Sequence, residues 1–240
     1  MSGLADEADE IMMCCADCGI AGVDDIKLKE CTACKSVRYC SVNCQREHRP
    51  KHKRQCKKRA AELRDEMLFK QPESSHLGDC PICCLPLFID ESKSTLHSCC
   101  SKLICQGCDY FNKMREEKQR LEQKCPFCRQ PAPETDKEIE MNLMKRVEAN
   151  DPFAIGEVGT QHCREGDYKS AFEYLTKAAQ LGDIQAHYHL SVMYSEGGEG
   201  VEKDKKKQLY HLEEAAIGGH PDARYNLGVT RVKVVGTKEQ

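Results

Sequence analysis

Cysteine supplies eighteen of the 240 residues, and all but Cys163 lie between positions 14 and 128. Most stand in pairs with two or three residues between the partners. Two thiolates at that spacing can wrap one Zn²⁺ through a tight turn or a single helical turn, and four such ligands close the coordination sphere. A closed site has no position for water or substrate, so the chemistry expected is structural metal binding, not metal catalysis. Disulfides are the competing use of the same residues. The first ten residues carry Asp6, Glu7, Asp9 and Glu10 with no basic leader, and no stretch is apolar enough to span a membrane. Both features point to a reducing compartment, cytoplasmic or nuclear, where paired cysteines serve as metal ligands.

The first block contains Cys15 with Cys18, Cys31 with Cys34, Cys40 with Cys44, and His52 with Cys56. Eight ligands make two tetrahedral sites. Cys14 and His48 are rival ligands that break the spacing. Pair order, residue types and spacing resemble the MYND finger, over residues 15–56. The resemblance implies an interleaved assignment: Cys15, Cys18, Cys40 and Cys44 to one ion, and Cys31, Cys34, His52 and Cys56 to the other. It also implies binding of short proline-rich peptides, with Ser36 to Tyr39 and Gln45 as the contact surface, although a solvated loop between ligands reads the same way.

The second block opens on Cys80-Pro81-Ile82-Cys83 and closes on Cys125-Pro126-Phe127-Cys128, with Cys99, Cys100, Cys105 and Cys108 between them. Two flanking Cys-Pro-x-Cys knuckles, a central ligand cluster and a helix-compatible spacer from Asp109 to Lys124 resemble a RING finger. Lys102 stands where a histidine ligand is usual, and an ammonium has no lone pair to give a metal, so the likeness is to the all-cysteine variants. It implies Cys80, Cys83, Cys105 and Cys108 on one ion and Cys99, Cys100, Cys125 and Cys128 on the other. His97 is an alternative to Cys99, and Cys84 reads as a small buried side chain. If the finger acts as its relatives do, Ile82 and Pro126 form an apolar docking groove for a ubiquitin-conjugating enzyme. Arg129 would then contact that enzyme and ubiquitin. The spacer lacks the bulky Trp that many active RINGs present, leaving Tyr110, Phe111 and Met114.

Elements must hold these ligands in place. Blocks this short bury little apolar surface, and with no Trp and 6% aromatics a conventional core is harder still. The expected architecture is therefore two small α+β fingers, each a cross-braced binuclear zinc module, followed by an all-α helical repeat, with about four Zn²⁺ per chain. Residues 1–14 read as a disordered acidic terminus, 15–56 as the first finger, 57–79 as a helical segment and linker, 80–130 as the second finger and 131–150 as a linker helix. From Asp151 the chain resembles itself: Ala154, Ala186 and Ala223 each precede Val158, Leu190 or Leu227 by four residues, and the alanine pair 178–179 returns at 215–216. Leu175, Leu190, Leu209 and Leu212 should form the buried stripe, with Asp167 as N-cap and Gly182 as stop for a helix from Tyr168 to Leu181. These features resemble the Sel-one-like branch of the tetratricopeptide repeats over 151–228, with 229–240 as a non-helical tail.

The net charge is −3 before thiolates are counted, which disfavours a globally basic nucleic-acid binder. Residues 46–59 hold eight Lys or Arg, but without interleaved aromatics for base stacking. No nucleophile motif, phosphate-cradling glycine loop or open metal site occurs. Two functions remain: a RING-type ubiquitin ligase that selects clients through its MYND finger and repeats, or a non-catalytic scaffold for two or more proteins.

Overall fold

A computed structural model describes residues 14–22, 26–72, 75–198 and 200–236. The acidic segment expected at 1–14 lies, apart from Cys14, outside these residues, as do 237–240. The chain divides into two compact units, Met1–Lys70 and Gln71–Gln240.

In the first unit, β1 (Lys29–Glu30) pairs antiparallel with β2 (Arg38–Tyr39), Lys29 opposite Tyr39 and Glu30 opposite Arg38. Ser41 then caps α1 (Val42–Phe69), its hydroxyl accepting from the Cys44 N–H at 3.2 Å. This helix begins well upstream of the helical segment expected from residue 57, running unbroken through Pro50 although that residue has no N–H to give the Arg46 carbonyl. Only His52 and Leu68 of α1 are buried, so no apolar stripe betrayed its length. The core is small and made mainly of cysteine: Cys15, Cys31, Cys34 and Tyr39, with Leu28, Val37, Cys40, Cys44 and Cys56 against them.

The second unit begins with another finger. A single turn of 3₁₀ helix at Glu91–Lys93 leads into β3 (Ser94–His97), which pairs antiparallel with β4 (Lys102–Cys105). Directly after β4 comes α2 (Gln106–Lys118). Cys80, Leu87 and Ile104 form its core. Cys84 is exposed, contrary to the expectation of a buried small side chain, for a reason given below.

The repeat consists of α3 (Asp136–Glu148), α4 (Pro152–Glu165), α5 (Tyr168–Gln180), α6 (Ile184–Glu196), α7 (Lys205–Ile217) and α8 (Pro221–Gly236). Asp151, Asp167, Asp183 and Asp204 cap α4 to α7 through side-chain oxygens, satisfying N–H groups that the first turn leaves free. Ala154, Ala171, Ala178 and Ala186 are fully buried around Leu175 and Leu190, which lets neighbouring helices approach closely. Leu212 joins Ala215 and Ala216 inside, but Leu209 is 40% exposed and drops out of the expected stripe. The tail expected at 229 is also revised, since α8 continues to Gly236. Ala223 and Leu227 are buried and anchor its first turns, and a helix once nucleated extends at little cost through less favourable residues.

Candidate metal centres

Four turns share one geometry. At Cys15, Cys31, Cys80 and Cys125 the backbone carbonyl accepts from the N–H four residues on, that of Gly19, Lys35, Cys84 or Arg129. Each of these four donors has positive φ, between 53° and 73°. The first cysteine's own N–H closes the loop by donating to the carbonyl of Ile20, Val37, Leu85 or Gln130. Such a turn brings the two cysteines of each knuckle together, and it puts the fifth residue in the left-handed region. That position turns Cys84 outward and sets Arg129 on the exposed rim of the last knuckle.

The knuckles meet more distant residues in four clusters: Cys15, Cys18, Cys40 and Cys44; Cys31, Cys34, His52 and Cys56; Cys80, Cys83, Cys105 and Cys108; and Cys99, Cys100, Cys125 and Cys128. Within each, the candidate ligand atoms all lie within 4.8 Å of one another. Sulfur separations include 3.6 Å for Cys18–Cys40, 3.7 Å for Cys31–Cys56, 3.8 Å for Cys83–Cys105 and 3.9 Å for Cys100–Cys125. A disulfide would need about 2.05 Å. The edge of a ZnS₄ tetrahedron with bonds near 2.3 Å is about 3.8 Å, so the donor sets fit zinc. Both fingers are interleaved, the first pair joining the third and the second joining the fourth.

The electrostatics of the clusters also fit a cation. Burial alone would push the Cys80 thiol up, but the N–H groups of Cys105, Cys83 and Ile82 outweigh it and bring it down to about 6. Burial of Cys15 is outweighed in the same way by the N–H groups of Cys18, Cys40 and Asp17, again to about 6. Partner thiols move oppositely: burial, then Cys31 and Cys34, push Cys56 up to about 12. Burial, then Cys105, Cys83 and Cys80, likewise push Cys108 upward. One thiolate forms readily in such a cluster and the next is repelled, until a divalent ion offsets the accumulated charge.

The residues weighed as alternative ligands lie apart from the four clusters. His97 turns its Nε2 toward Asp109 Oδ1 at 3.3 Å and lies outside the cluster that contains Cys99. His48 bonds the Tyr39 hydroxyl at 3.1 Å and stacks on His52, outside either cluster. Cys14 is likewise outside. Asp109 is held by Lys113 Nζ at 2.8 Å and Thr95 Oγ1 at 3.3 Å. Buried Glu116 accepts from the Lys124 N–H at 3.3 Å, while Asn112 donates to the Lys124 carbonyl at 3.2 Å. These two α2 side chains fix the approach to Cys125, a role that no spacing in the sequence announced.

Of the residues expected to meet partners, Ile82 is 43% exposed and Arg129 is exposed, but Pro126 is buried. Pro126 is thereby corrected from a groove residue to part of the knuckle's interior, and the exposed apolar side chain of that turn is Phe127, with Lys102 Nζ 5.9 Å from its ring centre. In the first finger, Ser36 Oγ donates to Cys34 Sγ at 3.0 Å and Tyr39 is buried, while Gln45 lines a cavity of about 250 Å³ beside the Cys31 cluster. Where the second finger meets the repeat, His76 stacks on His220 and a cleft of about 660 Å³ opens between Leu87 and Ile184.

Residues 15–56 match the family model of the MYND finger, and residues 157–183 and 184–220 each match that of the Sel1 repeat. Neither extends over the second finger. No curated protein matches the chain. A solved structure, that of c5321, a protective antigen of uropathogenic Escherichia coli strains displaying an SLR fold, aligns with 53% of this chain at 19% identity and a TM-score of 0.37, and the aligned part spans 26% of that protein. The chain thus joins a zinc-binding MYND finger to Sel1 repeats, both protein-interaction modules, and no helix among its described residues is long and apolar enough to cross a membrane.

Proposed function

We propose that this protein is a RING-type ubiquitin ligase. Its second finger recruits a charged ubiquitin-conjugating enzyme, and its MYND finger, through proline-rich peptides, and its repeats select the client. The sixteen clustered Cys and His side chains act as ligands to four structural Zn²⁺. The observation that carries this reading is the interleaved pairing of two four-cysteine sites in residues 80–128, with exposed Ile82 and Leu85 on one knuckle and Phe127 on the other. Apolar side chains held at the surface by metal, not packing, suit a shallow docking face. Such a finger does no covalent chemistry; its contribution is to hold the thioester and acceptor near attack geometry. Discharge of ubiquitin from a panel of charged conjugating enzymes, with and without the protein, is the direct test. Acceleration with at least one enzyme sustains the ligase, and none across a broad panel leaves a scaffold. The scaffold reading draws on α2, whose exposed aromatics Tyr110 and Phe111 lie edge to face at 5.9 Å and offer no single bulky anchor.

A further inference from the structure

The cavity beside the Cys31 cluster has a charged wall that the proline-rich reading does not use. Its floor is the clustered Cys31, His52 and Cys56, Arg49, Lys53 and Lys57 of α1 also line it, and no carboxylate does. Further along the same helix the cations are neutralised: Lys58 pairs with Glu62, and Arg59 with both Glu62 and Glu66. Among the described residues no carboxylate lies within ion-pair distance of Arg49, Lys53 or Lys57. Spaced by four, the three share one face of α1 at steps of about 6 Å. Alternate side chains on one face of an extended peptide repeat at nearly the same interval, about 6.6 Å.

We infer that the first finger takes an extended peptide bearing Asp or Glu at alternate positions, the carboxylates laddered on Arg49, Lys53 and Lys57 while the intervening small or apolar residues enter the cavity. This deepens the peptide-binding reading of the finger and rests on it. Nucleic acid, the other polyanion that three cations attract, is disfavoured by the surface itself. The two rings that line the cavity are both buried, Tyr39 with its hydroxyl engaged by His48 and His52 within the Cys31 cluster, so neither offers an exposed face for base stacking.

The test is fluorescence anisotropy on the full chain with five labelled probes: a proline-rich peptide with alternating Glu, its Gln and Lys counterparts, an alternating-Glu peptide without proline, and a single-stranded oligonucleotide. Three exposed ion pairs should favour the Glu peptide over its Gln counterpart by about tenfold at low salt, and the preference should shrink as salt rises. The double variant Lys53→Glu, Lys57→Glu should reverse the preference toward a Lys-substituted peptide, with an unchanged zinc count showing that the finger is intact. Equal binding of the Glu and Gln peptides, or a preference that survives the double variant, overturns the charge ladder and leaves the proline-rich reading standing. Variant-sensitive binding of the proline-free peptide sustains the ladder and removes the need for proline. Binding of no peptide overturns both, and an oligonucleotide that binds tighter than any peptide and loses that binding in the double variant makes the surface a nucleic-acid site.

Discussion

His187 and His211, from successive helices α6 and α7, face each other through their Nδ1 atoms at 3.1 Å. His187 Nε2 lies 3.1 Å from the Ala179 carbonyl, which can only accept, so that nitrogen carries the proton and Nδ1 is left as an acceptor for His211. Burial lowers both rings below the ordinary histidine value, which favours the uncharged pair. Burial, then His187, lower His211 to about 4, and burial, then His76, lower His220 to about 4.

A depressed histidine binds fewer protons folded than unfolded, so its stabilising contribution is complete above the unfolded value near 6.5 and is lost as pH falls toward 4. The thermal midpoint of the repeat should fall through that window. Metal loss from the fingers overlaps it, so the comparison is with His211→Phe, which keeps a ring to stack against Tyr194, 5.6 Å away. The variant should have a shallower pH slope than the wild type. Parallel slopes would remove the histidine pair as a cause.

Nothing in the sequence announced the pairs His187–His211 and His76–His220, because their members come from separate segments that meet only in the folded chain. The knuckles of the four Cys/His clusters were legible for the opposite reason: each is local, and its spacing is dictated by the turn. The alanines and the Asp167 cap were legible too, since close helix contact and first-turn N–H groups demand those residue types, whereas the caps at Asp151, Asp183 and Asp204 emerged only with the helices they start. Pro126 and Leu209 were misplaced because exposure depends on what packs over a residue, and local pattern does not contain that. The full length of α1 was not legible because its helix is held by His52 and Cys56 at the metal cluster, not by an apolar stripe.

Native mass spectrometry should count four Zn²⁺ per chain, and Cys80→Ser should lose the ion shared by Cys83, Cys105 and Cys108. Chelation should unfold the fingers and release α1, which buries only two side chains. The repeat should survive, because its core from Val147 to Leu190 contains no candidate ligand. Circular dichroism should then show a partial loss of helix with a persistent cooperative melt, and complete loss would tie the repeat to the metal.

Glu116→Ala should speed zinc transfer to a chelator from the Cys99, Cys100, Cys125 and Cys128 site, because Glu116 holds the Lys124 N–H at the entry to Cys125. Supporting residues of this kind are worth roughly 10- to 100-fold in metal affinity. Exposed Glu117→Ala is the control and should leave release unchanged. Equal rates in the two variants would deny Glu116 its positioning role.

Two glycines of the repeat should respond with opposite sign. A Cβ at Gly159 would meet Leu175 Cγ at 2.8 Å and the Leu175 backbone nitrogen at 3.1 Å, so Gly159→Ala should destabilise by about 1–3 kcal/mol despite alanine's better helix propensity. At Gly228, inside α8, a Cβ meets nothing within 4 Å, and Gly228→Ala should stabilise by up to about 1 kcal/mol. Denaturant midpoints of the two variants against wild type check both signs.

The proposed ligase separates docking from activation. Ile82 is exposed and lies outside the metal clusters, so Ile82→Ala should weaken binding of the conjugating enzyme at an unchanged zinc count. Arg129 occupies the left-handed corner of the last knuckle with φ 64° and an exposed side chain. In Arg129→Ala the knuckle keeps its hydrogen bond to the Cys125 carbonyl, since that bond uses the backbone N–H. Arg129→Ala should therefore leave docking nearly intact and slow ubiquitin discharge, because a cation that bridges enzyme and ubiquitin acts in the aligned, reactive arrangement more than in the encounter. Arg129→Lys should recover part of the rate. Discharge that is unchanged in Arg129→Ala, or binding that falls equally in both variants, would reduce Arg129 to a turn residue and leave Ile82 as the only one of the two with a role in recruitment.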